Sequence, residues 1–305
     1  MQKYSIFNLV KNAFSGHQNW DLAWKDPTPK KEYDVVIIGG GGHGLATAYY
    51  LAKEHNITNV AIIEKGWIGG GNVGRNTTII RSNYMHDDNA LFSEFGMDLW
   101  RKMSQDLNYN VMFSPRGIIN LAHSDAQMNV YARRGNSMRL NGIDAVLLNR
   151  EQVKEIIPMA DFSENVRFPI FGGLMQPSAG TARHDAVAWG YARQADSMGV
   201  DIIQNCEVTG FDVSGGKING VRTSRGDIKV KKIGLCVAGS TNVLAEKLNM
   251  TLPIETHLLQ ACVSEPVKPI LDRVVTFGAG HFYISQSDKG EMVMGGDLDG
   301  YNSYA

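Results

Sequence analysis

The stretch YDVVIIGGGGHG (residues 33–44) decides the fold. The run from Asp34 to Ile38 is rich in β-branched residues, which predicts a strand buried on both faces of a parallel sheet. After the glycines, LATAYYLAKE (45–54) is typical of a helix and NVAIIE (59–64) of a second buried strand. Strand, helix and strand in this order predict a βαβ unit at the start of an α/β domain.

The glycines form a Gly-x-Gly-x-x-Gly pattern at Gly39, Gly41 and Gly44. The first glycine permits a tight turn, the second lets backbone approach a pyrophosphate, and the third lets helix and strand pack closely. Glu64 ends the next predicted strand 20 residues later, where a carboxylate can accept hydrogen bonds from ribose hydroxyls and would repel a 2′-phosphate. The pattern predicts a dinucleotide site that disfavours NADP, but it does not separate FAD from NAD.

The segment from Gly69 to Arg81 favours FAD. NAD-binding domains normally continue here with another helix and strand, whereas this chain has GGGNVGRNTTIIR. Backbone amides and small hydroxyls in such a loop can line a ribityl chain and the edge of a flavin ring. We therefore expect an FAD oxidoreductase of the amine-oxidising group.

The composition excludes several classes of function. The 305 residues carry a formal net charge of −1, so a nucleic-acid partner is not expected. No apolar run is long enough to span a membrane, and the first 20 residues lack the pattern of a secretory signal. The three cysteines have no metal-ligand spacing, which predicts no metal site and favours a reducing, cytoplasmic compartment.

The rest of the chain predicts two interleaved domains behind an irregular N-terminal arm (residues 1–32). We assign residues 33–110 and 160–245 to the FAD-binding domain, and residues 111–159 and 246–305 to a substrate domain. Further helices are expected at 88–106, Glu151–Ile157 and His184–Met198. Further strands are expected at Val111–Leu121, Asp201–Gln204, Cys206–Asp212, Lys217–Ser224, Lys232–Val237, Thr251–Glu265 and Gly280–Gly295.

Residues 33–84 and four later segments closely resemble the β subunit of heterotetrameric sarcosine oxidases. Those segments are FSPRGIINLAH (113–123), QPSAGTARHDAVAWGYAR (176–193), GVDIIQNCEVTGF (199–211) and KGEMVMGGDLDGYNSY (289–304). The resemblance implies a D-amino-acid-oxidase-like fold: an α/β, Rossmann-like FAD-binding domain with an inserted antiparallel β-sheet substrate domain. It also implies non-covalent FAD, FMN attached covalently to a histidine, and partner α, γ and δ subunits.

The implied reaction is oxidative demethylation of sarcosine to glycine. Electrons would pass from FAD to FMN to O2, giving H2O2. The one-carbon unit would pass to tetrahydrofolate on the α subunit, which would also hold NAD.

Site residues follow from the same resemblance. His184 matches the histidine that carries FMN. His281 matches a histidine beside the substrate cavity, and strand alternation would place Tyr283 on the same face. Residues expected around the cofactors are Gly39, Gly41, Gly42, His43, Gly44, Glu64, Asn72, Thr77, Thr78, Arg81, His184 and Val208.

Two alternatives remain open from the sequence. One is a monomeric FAD-dependent amino-acid or glycine oxidase or dehydrogenase without FMN. The other is a truncated FAD-binding fragment without activity, because members of the family continue beyond the position of Ala305 with a further strand and a catalytic-site lysine.

Overall fold

The computed structural model describes residues 5–18, 22–163, 165–257 and 259–298. Its α-helices are α1 (Ile6–Phe14), α2 (Gly42–His55), α3 (Asp87–Asp106), α4 (Asp125–Leu140), α5 (Arg150–Ile156), α6 (His184–Ser197) and α7 (Thr241–Ala245). Its strands are β1 (Glu32–Ile38), β2 (Val60–Ile63), β3 (Ile79–Ile80), β4 (Ile118–Ala122), β5 (Val146–Asn149), β6 (Gly172–Gln176), β7 (Gly180–Thr181), β8 (Asp201–Ile203), β9 (Val208–Ser214), β10 (Lys217–Thr223), β11 (Gly226–Leu235), β12 (Leu259–Pro266), β13 (Val274–Phe277), β14 (Phe282–Gln286) and β15 (Glu291–Leu298).

One sheet has the strand order β8-β2-β1-β11-β10-β9. The strands from β8 to β11 are parallel, and β10 and β9 add an antiparallel edge. Helices α2 and α6 pack on one face through buried side chains such as Leu45, Tyr49 and Tyr191. Full burial of a large apolar side chain stabilises the fold by about 1.5–3 kcal/mol. The predicted βαβ unit, β1-α2-β2, therefore lies at the centre of this α/β domain.

The second sheet has the order β12-β15-β14-β13-β4-β6-β5. All its pairs are antiparallel except β13 with β4. Helices α4 and α5 lie against β6 and β5 and close one side of its core. The D-amino-acid-oxidase-like architecture expected from the sequence, a Rossmann-like domain with a largely antiparallel second sheet, is confirmed.

Strand β6 corrects the predicted division of the chain. The sequence placed residues 160–245 in the FAD-binding domain, yet β6 lies in the second sheet between β4 and β5. Its glycines, Gly172 and Gly173, have low strand propensity, and no strand was predicted over these residues. In the fold they are needed because a side chain at Gly172 would overlap the carbonyl oxygen of Leu148.

The N-terminal arm is more regular than predicted. Helix α1 is capped by the Ser5 hydroxyl, which accepts a hydrogen bond from the Asn8 N–H (3.2 Å). Its apolar residues recur at helical spacing, a pattern that the prediction of an irregular arm overlooked. Further along the arm, Asp26 accepts hydrogen bonds from Arg225 (3.0 Å) and the Gln204 N–H (3.1 Å), so this part is held against the α/β domain. Trp20 lies outside the described residues.

Three other elements differ from their sequence predictions. Helix α3 forms as expected, but two apolar residues at helical spacing, Leu91 and Phe95, are exposed, while Ala90, Met97 and Met103 are buried. The strand expected at 111–121 begins only at β4, because Met112 adopts a left-handed conformation. The strand expected from Thr251 begins at Leu259. Within the predicted substrate domain, Leu258 and residues 299–305 lie outside the described ranges.

Candidate active site

A cavity of about 1230 Å³ lies between the two sheets. The α/β domain contributes α2, α6 and the loop at 76–81, and the second sheet contributes residues of β4, β13 and β14. Eight of the residues singled out in the sequence line it: Gly42, His43, Thr77, Thr78, Arg81, His184, His281 and Tyr283. The remaining six, Gly39, Gly41, Gly44, Glu64, Asn72 and Val208, lie outside its lining.

The glycine turn joins β1 to the start of α2. Gly39 has φ +108°, a conformation that L side chains rarely adopt, and its N–H donates to the Ile63 carbonyl (2.8 Å). A side chain at Gly44 would overlap the Gly39 carbonyl oxygen, so helix and strand can approach only without one. No side chain caps α2 at Gly41. The N–H groups of its first turn therefore form the kind of anion-binding helix start that suits a pyrophosphate.

Glu64 follows β2 and fixes the loops around this turn. Its two carboxylate oxygens accept hydrogen bonds from the Gly40 N–H (2.7 Å) and the Gly66 N–H (2.8 Å). These bonds orient the carboxylate beside the glycine turn, and its remaining lone pairs can still accept from ribose hydroxyls. The turn, the uncapped helix start and this carboxylate together fit the ADP half of a dinucleotide.

The loop after the turn is held in a strained conformation. Thr78 has φ +58°, an outlier for a β-branched residue, and its N–H donates to Asn76 Oδ1 (2.8 Å). The adjoining strand β3 pairs with β7, which fixes the loop on its far side. Strain of this kind costs about 1–3 kcal/mol and recurs at ligand-binding sites. Thr77 and Thr78 consequently lie on the cavity wall.

Arg81 lies on the same wall beside a second arginine, Arg134 of α4. Arg81 Nη1 donates to Asn83 Oδ1 (2.5 Å), and its guanidinium stacks on Tyr84, 4.6 Å from the ring centre. Arg134 Nε donates to the Asn83 carbonyl (2.6 Å). Burial and the nearby charge of Arg81 lower the pKa of Arg134. Sequence reasoning missed Arg134, whose only signal is its place in an Arg-Arg pair (133–134) on a helix.

His184 is the first residue of α6, and its ring borders the cavity. On either side of it, Arg183 and Asp185 form a two-pronged ion pair, with distances of 2.8 and 3.1 Å. The ion pair joins the charges of these two neighbours to each other. Within the described residues no hydrogen bond holds the His184 ring, so the imidazole is available for bonding from the cavity.

His281 and Tyr283 line the opposite side of the cavity. Tyr283 lies in β14 opposite Gly295, and its ring covers the position that a side chain at Gly295 would take. His281 precedes the strand, so simple strand alternation does not describe its position. It is exposed toward the cavity, whereas Tyr283 is half-buried.

In the residues that the structure describes, none of the helices combines the length and apolar character of a membrane-spanning segment. The same ranges hold no group of three or more histidine, cysteine, aspartate and glutamate side chains placed for a metal ion.

Comparison with known proteins places this site in a family context. Residues 34–304 match the family described as FAD dependent oxidoreductase. The sarcosine oxidase subunit beta of Rhizobium meliloti is 61% identical over 99% of this chain and 73% of its own length. That of Rhodobacter capsulatus is 52% identical over 100% of this chain and 73% of its own length. The crystal structure of L-proline dehydrogenase from P. horikoshii has a TM-score of 0.82 and 27% identity, over 90% of this chain and 71% of that one.

Proposed function

Since the chain belongs to the family of FAD dependent oxidoreductases, and is homologous to sarcosine oxidase β subunits, we propose that it oxidises sarcosine to glycine. The observation that carries the proposal is the cavity between the sheets. The cavity is lined both by the loop suited to a flavin, at residues 76–81, and by the guanidinium of Arg81, which can bind a carboxylate. Sarcosine combines such a carboxylate with a secondary amine whose methyl group can be oxidised.

FAD would be held by the glycine turn, by Glu64 at the adenosine ribose, and by Asn72, Thr77 and Thr78 along the loop. Val208, at the start of β9, would approach the adenine side through its backbone. When bound, FAD would accept the two electrons lost when the C–H bond beside the amine nitrogen is broken. The chain's own residues bind and orient the substrate for that step.

Arg81 would bind the substrate carboxylate, since its guanidinium lines the cavity and takes part in no ion pair within the described residues. The sequence assigned Arg81 to the cofactor; its contacts with Asn83 and Tyr84, at the border with the second sheet, favour the substrate instead. His281 and Tyr283, on the opposite wall, would bound the amine end. Leu99 and Trp100 would limit the access of water to the cavity.

FMN would be attached covalently at His184. The assignment is supported by the position of His184 on the cavity wall, where no hydrogen bond holds its ring within the described residues. A neutral imidazole is a competent nucleophile near neutral pH. The FMN would supply the site at which O2 is reduced to H2O2.

Denaturing electrophoresis of the holoenzyme tests the attachment. We expect flavin fluorescence to remain with the β band of wild-type protein and to disappear in His184→Ala. The control His55→Ala, at the far end of α2, should keep the fluorescence. Complete release of flavin from wild-type protein would contradict covalent attachment and favour a monomeric amino-acid or glycine oxidase or dehydrogenase.

The proposed assembly contains α, γ and δ subunits, as the naming of the relatives as subunit beta suggests. Tetrahydrofolate, which would accept the one-carbon unit, and NAD would be bound by the α subunit. Free thiols at Cys206, Cys236 and Cys262 fit a cytoplasmic location. Purification as an active monomer would contradict the assembly.

The reaction itself is tested by oxygen uptake with the protein in its native assembly. We expect uptake with sarcosine and an equal yield of H2O2, with little response to glycine, which lacks the methyl group. An assembly that contains flavin but consumes no oxygen with sarcosine would contradict the proposed substrate.

A further inference from the structure

Arg81 and Arg134 share one acceptor residue, Asn83. The side-chain oxygen of Asn83 accepts from Arg81 Nη1 (2.5 Å), and its carbonyl oxygen accepts from both Nε and Nη2 of Arg134. Two residues of very different position in the chain, one after β3 and one in α4, are thereby brought to the same point of the cavity wall. Like charges so placed repel one another, so a pair of this kind needs compensation.

No carboxylate supplies that compensation within the described residues. Neither arginine takes part in an ion pair there. The carboxylate of Glu94, which accepts a hydrogen bond from Ser82 Oγ (2.6 Å) beside Arg81 in the sequence, is already paired with Arg101 (3.0 Å). Arg134 is also partly removed from water, and both burial and the charge of Arg81 lower its pKa. A partly buried cation pair without an acid is suited to an anionic ligand from the cavity.

Asn83 is itself held in one orientation. It is 1% exposed, and its Nδ2 donates to Asn120 Oδ1 (2.7 Å). Asn120 Nδ2 in turn donates to Thr276 Oγ1 (2.5 Å), which links the pair to β4 and β13 of the second sheet. A flipped Asn83 amide would direct its NH2 group at the Arg81 guanidinium and lose both bonds. The side-chain oxygen is therefore fixed toward Arg81.

We propose that Arg134 is a second carboxylate-binding residue of this site and that Asn83 is the positioning residue that holds the two guanidinium groups together. The ligand class is a small carboxylate, with the two arginines placed to serve its two oxygens. Arg134 Nη1 forms no hydrogen bond within the described part of the chain, which leaves a donor for the ligand. The assignment to substrate, rather than to another carboxylate, rests on the proposed function.

The test uses the holoenzyme and methoxyacetate, in which an ether oxygen replaces the amine of sarcosine. Binding is followed by the change in flavin absorbance and by calorimetry. Arg134→Met removes the charge, and we expect the Kd of methoxyacetate to rise about 10- to 100-fold, the value of a charge-assisted hydrogen bond. The matched control, Arg133→Met, alters an exposed neighbour on the same helix and should leave the Kd unchanged.

A neutral probe separates loss of charge from loss of shape. The Kd of 2-methoxyacetamide, which has the same outline without the negative charge, should change less than threefold in Arg134→Met. Equal weakening of both probes would indicate a packing role and overturn the proposal. So would an unchanged Kd for methoxyacetate. If Arg134→Met does not fold, Arg134→Gln also removes the charge while keeping a polar side chain that can donate to the Asn83 carbonyl, and the same comparison applies.

Asn83→Asp tests the positioning role. A carboxylate at this position would pair with Arg81 and compete with the ligand, so methoxyacetate binding should weaken about tenfold or more while 2-methoxyacetamide binding is retained. With sarcosine, the loss should be larger in KM than in kcat. Unchanged methoxyacetate binding in a folded Asn83→Asp protein would overturn the role of Asn83.

The outcomes for this site and for the proposed function are separable. If sarcosine is not oxidised but Arg134→Met selectively weakens methoxyacetate binding, the carboxylate site stands and the substrate assignment fails. If sarcosine is oxidised, and Arg134→Met changes neither the Kd of methoxyacetate nor the KM of sarcosine, the function stands and this proposal fails.

Discussion

At the scale of single residues, the site depends on positions where two backbone segments, or the backbone and a ligand, lie too close together for a side chain. Gly44 allows α2 to begin against the Gly39 carbonyl, and the φ of Gly39 places that carbonyl there. Both demands are steric, so the spacing of the glycines alone indicated them. This is the reason that the dinucleotide turn could be predicted from twelve residues.

Gly44→Ala should therefore weaken FAD binding by at least about tenfold, because the added methyl group must push α2 away from β1. The measurement is the flavin content of purified protein, followed by titration of the apoprotein with FAD. Gly234→Ala is the control, since Gly234 lies in β11, outside the loop assigned to the flavin, and a side chain there meets only the Ile37 side chain at an ordinary contact distance of 3.9 Å. Wild-type affinity in Gly44→Ala would show that the close approach is not required.

The three thiols should differ in reactivity. Cys262 is exposed and Cys206 is buried, while burial raises the pKa of the half-buried Cys236. A raised pKa means less thiolate at pH 8, so Cys236 should react slowly there and faster as the pH rises toward its pKa. Alkylation with iodoacetamide and peptide mass analysis at pH 8 should show the order Cys262, then Cys236, then Cys206. Faster labelling of Cys236 than of Cys262 would contradict this order.

Residues whose role depends on partners far away in the chain could not be identified from the sequence. Arg134, Asn83 and Asn120 have no local motif, and only the fold brings them to one wall of the cavity. Arg81 was noticed for the string that contains it, but its side-chain contacts, and hence the ligand it faces, were not predictable.

At the scale of elements, some helices and strands could be predicted from their local sequence pattern, whereas others depend on contacts that only the fold creates. The buried apolar strands β1 and β2 and the helices α3 and α6 were predicted because their patterns are long and regular. Strand β6 was not predicted, since two of its five residues are glycines. Glycine is required there because a side chain would overlap backbone oxygens of the neighbouring strands. Helix α1 was overlooked although its apolar spacing was visible in the sequence.

Helix α5 offers a test of an element's own stability. Asn149 Oδ1 accepts from the Gln152 N–H, and Gln152 Oε1 accepts from the Asn149 N–H, each at 2.9 Å. Asn149→Ala should lower the free energy of unfolding by about 1 kcal/mol. The Gln152 N–H loses its acceptor, and the Gln152 side chain is no longer held in place to accept from the backbone N–H of residue 149. Lys154→Ala, an exposed change in the same helix, is the control. Equal unfolding curves in urea for Asn149→Ala and wild type would contradict a role for the capping box.

At the scale of the whole molecule, the cavity exists only where the two sheets meet. His184 and Arg81 come from the α/β side, whereas Tyr283 and Asn120 come from the second sheet. The sequence predicted both layers, and resemblance to a family supplied most of the residues. Neither the sequence nor the resemblance predicted which of these residues share the cavity, since that depends on how the two layers pack.

The molecule also presents apolar side chains to solvent on α1. Phe7 is 82% exposed and Phe14 is 90% exposed. Replacing both with serine should leave the melting temperature of the isolated chain within about 1 °C, because neither side chain is buried in the fold. The same change should reduce self-association measured by light scattering. A fall of several degrees in melting temperature would show that these side chains pack within the chain.

Anaerobic reduction of the bound flavin tests the central claim most directly, because it isolates electron transfer from substrate from the later reaction with oxygen. Sarcosine added to the oxidised holoenzyme without oxygen should bleach the flavin absorbance. The same addition to Arg81→Met should require at least about tenfold more sarcosine for the same extent of reduction. Flavin that stays oxidised in the wild-type protein at saturating sarcosine would contradict the account.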